Sequence, residues 1–142
     1  MFLHKELSWK IIGICMKIQN EYGSNHNERI YHSLLIEQFT LQKINFLSKP
    51  KIPVLSKQTG KKIGLYEPDF LIEKLIILEI KAKPFNFKKD ETQLQEYLNT
   101  TPYEIGYLVN FGFQNKLYFK RIICTNNLKN FLSLPKKLYA SQ

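Results

Sequence analysis

The segment 75–83, LIILEIKAK, is apolar at almost every position until it reaches Glu79 and Lys81. A strand with one face in water alternates apolar and polar side chains, whereas an uninterrupted apolar run must be covered on both faces. That requirement places 75–83 at the centre of a sheet with helices on either side, an α/β fold. The preceding segment, KIGLYEPDFLI at 62–72, is also β-rich. Only Glu73 and Lys74 separate the two, so a hairpin is expected.

The remaining pattern fills in around this pair. Leu7, Ile11, Ile14, Cys15, Ile18 and Tyr22 recur at helical spacing over 5–21, with Lys10, Lys17 and Gln19 opposite and Gly23 as a stop. A second helix, roughly 27–42, is capped by Asn27 and carries Tyr31, Leu34, Leu35, Gln38 and Phe39 on one side. Segment 45–55 reads as extended, and Pro50 and Pro53, which offer no ladder donor, assign it to an edge. A turn at 56–62 follows. A third helix over 88–100 buries Leu94, Tyr97 and Leu98, and strands are predicted in YEIGYLVNF and KLYFKRIIC. The tail 126–142 reads as a short helix with a frayed end. The predicted order is ααβββαββ in one domain spanning 1–142, with its core over about 5–123.

With 142 residues, 44% of them hydrophobic, the chain can build one core. A domain near 150 residues buries roughly 70% of its extended surface. A disordered chain is excluded. Cys15 and Cys124 both lie in apolar stretches and read as buried free thiols. Glu6, Lys10 and Lys17 interrupt the apolar amino terminus, which argues against a signal peptide, and no run approaches a membrane span. The expected location is therefore the cytoplasm, with no membrane partner. A net charge of +9 suggests a polyanionic partner, but only two of the 21 basic residues, Arg29 and Arg121, are arginines. Such a lysine-rich bias also arises from AT-rich coding, so charge contributes modestly.

The chemistry concentrates at Pro68-Asp69 and Glu79-Ile80-Lys81. Glu79 and Lys81 are two apart on a strand, so both leave the same face, and Asp69 lies on the neighbouring strand. Two carboxylates meeting at a sheet end repel one another unless a cation joins them, and oxygen ligands favour Mg²⁺ or Mn²⁺. A lysine beside them can orient a water or help to deprotonate it. Glu-x-Lys occurs once in the chain, and Asp69 is one of only two aspartates. The plain alternative is a solvated salt bridge at the hairpin end, worth about 0–1 kcal/mol.

Register makes a sharp demand on this reading. A two-residue turn at Glu73-Lys74 would pair Asp69 with Leu78 and send Glu79 to the opposite face. For the carboxylates to meet, the hairpin needs an odd loop or a bulge.

Further candidates share helix faces with buried positions. Glu28 falls at i, i+3 and i+7 with Tyr31 and Leu35, which aims it toward the buried side. There it either stabilises the helix start or adds a carboxylate to the metal site, directly or through water. Gln93 shares a face with Tyr97 and either orients a phosphate or stays solvated. Lys83, Lys88 and Lys89 cluster beyond the site with Phe85 and Phe87 interleaved. Such a stretch can grip a nucleic-acid backbone, although phenylalanines of this kind are more often core. His4, His26 and His32 are too scattered for a zinc site.

With these residues in hand, the chain resembles the GxxExxY family, a small-protein branch of the PD-(D/E)XK nuclease superfamily, from about Leu7 to Ile123. Glu28 and Tyr31 match the namesake motif, whose glycine is replaced by Asn25. Asp69, Glu79 and Lys81 match the Asp-x9-Glu-x-Lys signature, and Gln93, Leu94, Tyr97 and Leu98 match a later segment that precedes IGYLVNFG. The resemblance implies a restriction-endonuclease-like mixed sheet flanked by helices and a Mg²⁺ (or Mn²⁺) site at Asp69 and Glu79. The Ile80 carbonyl adds a ligand and Glu28 a further acid, directly or through water. Lys81 is the implied catalytic lysine and Gln93 lines the site, with Lys83, Lys88, Lys89 and Tyr31 as nucleic-acid contacts. The expected activity is metal-dependent hydrolysis of nucleic-acid phosphodiesters, DNA ahead of RNA. The alternative is a non-catalytic module, binding nucleic acid or protein, that keeps the nuclease fold.

Overall fold

The computed structural model describes residues 3–129. Two helices come first. α1 (Lys5–Tyr22) stops at Gly23, whose φ of 74° suits a residue without a Cβ and whose N–H donates to the Gln19 carbonyl at 2.9 Å. α2 (Glu28–Leu41) starts at Asn27, whose side-chain oxygen accepts the Ile30 N–H at 3.1 Å. Seven strands and a third helix follow: β1 (Phe46–Ser48), β2 (Ile52–Leu55), β3 (Lys62–Tyr66), β4 (Phe70–Ile72), β5 (Ile76–Lys81), α3 (Lys88–Asn99), β6 (Ile105–Asn110) and β7 (Tyr118–Ile123).

The main sheet has the order β1-β4-β5-β6-β7, and β2 and β3 form a separate two-stranded ribbon. β5 is central. It pairs antiparallel with β4 and parallel with β6, the connection to β6 running through α3. Its alternate residues serve two cores. Ile76, Leu78 and Ile80 pack with Ile11, Cys15, Ile18, Tyr31 and Leu35 beneath α1 and α2. Ile77 packs with Leu94, Leu98 and Leu108 beneath α3. Burial on both faces explains why the run lacks alternation.

The observed order, ααβββββαββ, corrects the expected ααβββαββ. Segment 45–55 divides because Lys49 takes a φ of 50° and Pro50 follows it, so β1 joins the edge of the main sheet while β2 joins the ribbon. Segment 62–72 divides at Glu67-Pro68-Asp69, where the chain leaves the ribbon for the sheet. A 3₁₀ turn at Asn126–Leu128 stands where a short tail helix was expected. The rest of that tail, 130–142, lies outside the described residues. Cys15 and Cys124 are buried free thiols, as expected. Among the described residues, no helix is long and apolar enough to cross a membrane.

The hairpin between β4 and β5 has the odd loop that the site requires. Ile72 pairs with Ile76 and Phe70 with Leu78, which leaves Glu73, Lys74 and Leu75 as a three-residue turn with no bulge. Glu73 and Lys74 take φ of 51° and 58°. A clasp from the residue ahead of β1 holds the turn: the Glu73 N–H donates to the Asn45 carbonyl at 2.8 Å, and the Glu73 carboxylate accepts both the N–H and the side-chain amide of Asn45. A left-handed conformation costs a non-glycine residue roughly 1–2 kcal/mol. Lys74→Gly is therefore expected to raise stability by about 0.5–1 kcal/mol, read as a higher urea midpoint at unchanged m. Glu73→Gly should show no such gain, because it also removes the bonds to Asn45.

Candidate active site at the end of strand β5

Continuing the β4–β5 register one pair past Phe70 and Leu78 sets Asp69 opposite Glu79, on the face that holds Ile77. The two acids are tied together through the backbone. The Asp69 N–H donates to Glu79 Oε1 at 3.0 Å, and the Ile80 N–H donates to Asp69 Oδ2 at 2.7 Å. The Tyr66 hydroxyl donates to Glu79 Oε2 at 3.0 Å, and its ring stacks on Tyr97 of α3 at 3.7 Å. One pair further, the register sets Pro68 opposite Ile80. A proline has no N–H, so it cannot answer the Ile80 carbonyl, which leaves the strand on the same side as the N–H bound to Asp69.

Glu79 is poorly solvated and faces Asp69. Burial, and then the charge of Asp69, push its carboxyl up to about 7, against the opposing pull of the Asp69 N–H, the Tyr66 hydroxyl and Lys81. Burial, and then the Glu79 carboxylate, lift the Tyr66 hydroxyl well above the usual range. Glu28 is exposed at the rim of a cleft of about 180 Å³ that it shares with Arg29, His32, Lys49, Asp69 and Ile80. Partial desolvation raises its pKa, with Lys81 opposing and Asp69 adding to the shift. The helix-face expectation for Glu28 thus resolves to a cleft wall near Asp69, not to the core that Tyr31 and Leu35 enter.

Lys81 lies on the α3 side of the strand end. It lines a second cavity, of about 240 Å³, with Asn86, Phe87, Lys88, Asp90, Leu108 and Tyr118 among its neighbours. Among the described residues, Lys81 enters no salt bridge, whereas Lys83 binds Asp90 at 2.9 Å and Lys88 binds Glu91 at 3.3 Å. The segment following Lys81 is held by Asn110. Its side-chain oxygen accepts the N–H groups of Lys83 and Gly112, each at 3.0 Å, and its amide donates to the Lys83 and Phe85 carbonyls and to Asn86. Gly112 permits this contact, since a Cβ there would sit 2.6 Å from the Lys83 nitrogen.

Several expectations change at this point. Tyr31 was expected to contact nucleic acid but is fully buried, stacked on Phe111, with its hydroxyl donating to the Gly23 carbonyl. It closes the α1–α2 turn and has no surface to offer. Gln93 is exposed on α3 and lines neither cleft. Phe85 and Phe87 are exposed, not core, and Lys83 stands over the Phe87 ring as well as bonding Asp90, so its ammonium is already engaged. Lys88 and Lys89 are exposed. Sequence reasoning missed Tyr66, Asn110, Arg29, His32 and Lys49. The only available signals were the tyrosine three residues before Asp69 and the polar Asn110 ending an otherwise apolar strand.

The residues present fit a hard divalent cation. All the convergent donors are oxygens: two facing carboxylates, one of them raised by burial and then by its neighbour's charge, and a main-chain carbonyl without a ladder partner. Among the described residues, no group of three or more His, Cys, Asp or Glu could hold a metal. A two-carboxylate set leaves coordination positions on such a cation open to water.

A mixed sheet flanked by helices, with this acid pair and lysine at the end of its central strand, is the restriction-endonuclease-like architecture. A family model described as the PD-(D/E)XK nuclease superfamily matches residues 5–122, and the chain belongs to that superfamily. Its nucleases generally use divalent metals. No curated protein matches the sequence. Among solved structures, an alkaline exonuclease (LHK-Exo) from Laribacter hongkongensis is 13% identical, with 90% of this chain and 74% of that chain covered and a TM-score of 0.49. SSO0001 is 19% identical, with 95% and 64% covered and a TM-score of 0.49, so this chain spans a little under two thirds of its length.

The raised Glu79 carboxyl has a thermodynamic consequence. An unfolded glutamate titrates near about 4.3, so between that value and about 7 the native state holds a proton that the unfolded chain has released. The resulting stability is full below the lower value and is lost as pH rises through the upper one. In EDTA, the melting temperature of the wild type should fall between about pH 5 and about pH 8, and Glu79→Gln should flatten that fall. Tyr66→Phe should move the midpoint of the fall upward, because it removes a hydrogen bond to the charged form. A slope unaffected by Glu79→Gln would remove the assignment.

Proposed function

We propose that the protein is a metal-dependent nuclease of the GxxExxY type, hydrolysing phosphodiester bonds of nucleic acid, DNA ahead of RNA. The observation that carries this reading is the Asp69–Glu79 pair at the end of β5 with Lys81 two residues on and free of any salt bridge among the described residues. Asp69, Glu79 and the Ile80 carbonyl would hold Mg²⁺ or Mn²⁺, with Glu28 contributing through water. Bound there, the cation supplies acidification of a water and neutralisation of charge on the phosphate.

The chain's own residues supply the rest. Lys81, in no salt bridge among the described residues, orients the attacking water and stabilises negative charge as the phosphate is attacked. The hydrogen bonds on Glu79 and Asp69 hold their carboxylates in place before substrate arrives, so little reorganisation accompanies the reaction. Asn110 and Gly112 secure the backbone beyond Lys81. Lys88 and Lys89 add to the positive surface along which a strand lies, while Lys83 acts mainly through its bond to Asp90. Gln93, on the solvent side of α3, is left out of the catalytic group.

The test is cleavage of labelled single- and double-stranded DNA and RNA with Mg²⁺ or Mn²⁺. The expected result is EDTA-sensitive hydrolysis that falls roughly 10²–10³-fold or more in Asp69→Ala and in Lys81→Ala, with both variants folded. Full activity in either variant, or salt-sensitive binding without cleavage in any divalent ion, would replace this reading with that of a binding module.

A further inference from the structure

The cleft on the α2 side of the strand end contains more than acids. Arg29 from the first turn of α2, His32 one turn later and Lys49 just past β1 line it together with Glu28, Asp69 and Ile80. His32 is fixed: its ring stacks on Phe70 at 4.3 Å, and its Nε2 lies 3.3 Å from Ser48 Oγ and 3.4 Å from the Asp69 carbonyl. Arg29 and Lys49 are exposed, and neither enters a salt bridge among the described residues.

Lys49 is the least comfortable residue of this wall. Its φ is 50°, a left-handed conformation that disfavours any residue with a Cβ. It also stands directly before Pro50, and a residue in that position prefers an extended backbone with φ near about −120°. A glycine would relieve the first of these costs. The strained backbone is coupled to the acid pair, because the Lys49 N–H donates to the Asp69 carbonyl at 2.9 Å. A lysine held at such a position, one hydrogen bond from a candidate metal ligand, points to a use for its ammonium.

We infer that Arg29 and Lys49 form a second phosphate subsite, with Lys49 gripping a phosphate next to the one that is cut. This rests on the nuclease reading of Asp69 and Glu79. The two clefts have separate linings, one including Lys81 and the other Arg29, Lys49 and Asp69, so a strand crossing the acid pair can reach both the Lys81 cavity and the Arg29–Lys49 wall. The preferred substrate is then a polynucleotide strand that continues past the scissile bond on the Lys49 side. A mononucleotide ester, which lacks the neighbouring phosphate, is a poorer substrate. Lys49 is a specificity residue in this scheme, and His32 positions the wall through Ser48 and Phe70.

Lys43 provides a matched control. It too is an exposed lysine with a positive φ, 57°, but it follows α2 and lies outside the cleft. Lys49→Gly and Lys43→Gly therefore relieve similar backbone strain while removing different ammonium groups. Binding of a short labelled DNA strand is measured in Ca²⁺ across a salt series, alongside melting temperature and the cleavage constants in Mg²⁺. Both variants should be at least as stable as the wild type. Lys49→Gly alone should weaken binding by about tenfold and make the salt slope shallower by nearly one, with the cleavage defect mainly in KM. Lys49→Arg should restore most of the affinity. Unchanged affinity and salt slope in Lys49→Gly, or equal losses in Lys43→Gly, would overturn the subsite. Wild-type binding without cleavage would overturn the nuclease reading while leaving the Lys49 contact measurable. No binding by the wild type would overturn both.

Discussion

The site depends on a mutual clasp: the Asp69 amide holds the Glu79 carboxylate, and the Ile80 amide holds that of Asp69. Each acid is placed by the backbone beside the other, so neither carboxylate can swing away without breaking a charge-assisted hydrogen bond. The clasp exists because the β4–β5 turn has three residues. With one fewer, alternation would send Glu79 to the α1–α2 core. The turn in turn depends on Asn45, which binds the strained Glu73 through both backbone and side chain. A hydrogen-bonded residue ahead of the edge strand thus sets the geometry of an acid pair at the far end of the hairpin.

Around the clasp, charge is distributed unevenly. Asp90 and Glu91 engage Lys83 and Lys88, yet neither engages Lys81, which stays available beside Glu79. Tyr66 and the Asp69 amide lower the cost of a charged Glu79 without cancelling it, so the pair remains short of positive charge until a cation or proton arrives. Asn110 has a comparable role in the backbone. Its buried side chain serves five partners and holds the β5–α3 connection against β6–β7, and Gly112 allows the two segments to touch. Left-handed backbone at Lys49 and at Glu73 is held by a hydrogen bond from the N–H of each, to the Asp69 and Asn45 carbonyls respectively.

The class of fold and the identity of the acid pair were legible in the chain itself. An apolar run such as Leu75–Leu78 has few solutions other than a covered central strand, and a Glu and a Lys at its end are costly without a purpose. Helix limits were legible where a single residue sets them, as at Gly23 and Asn27. The division of 45–55 and 62–72 was not, because Pro50 and Pro68 mark an interruption of pairing but not which sheet each half joins. Tyr31 matched a motif, but a motif does not say which atoms reach the surface. Its burial follows from the packing of α2 on Phe111.

By itself, then, the sequence determined a two-sided central strand with Asp69, Glu79 and Lys81 at its end, since hydrophobic periodicity and the cost of burying charge act over a few residues. Tertiary structure alone decided that the turn would be odd, that Tyr66 would reach Glu79, and that Arg29, His32 and Lys49 would share a cleft with Asp69. Those contacts join residues far apart along the chain, and their geometry follows from how helices and strands stack in space, which no local pattern encodes.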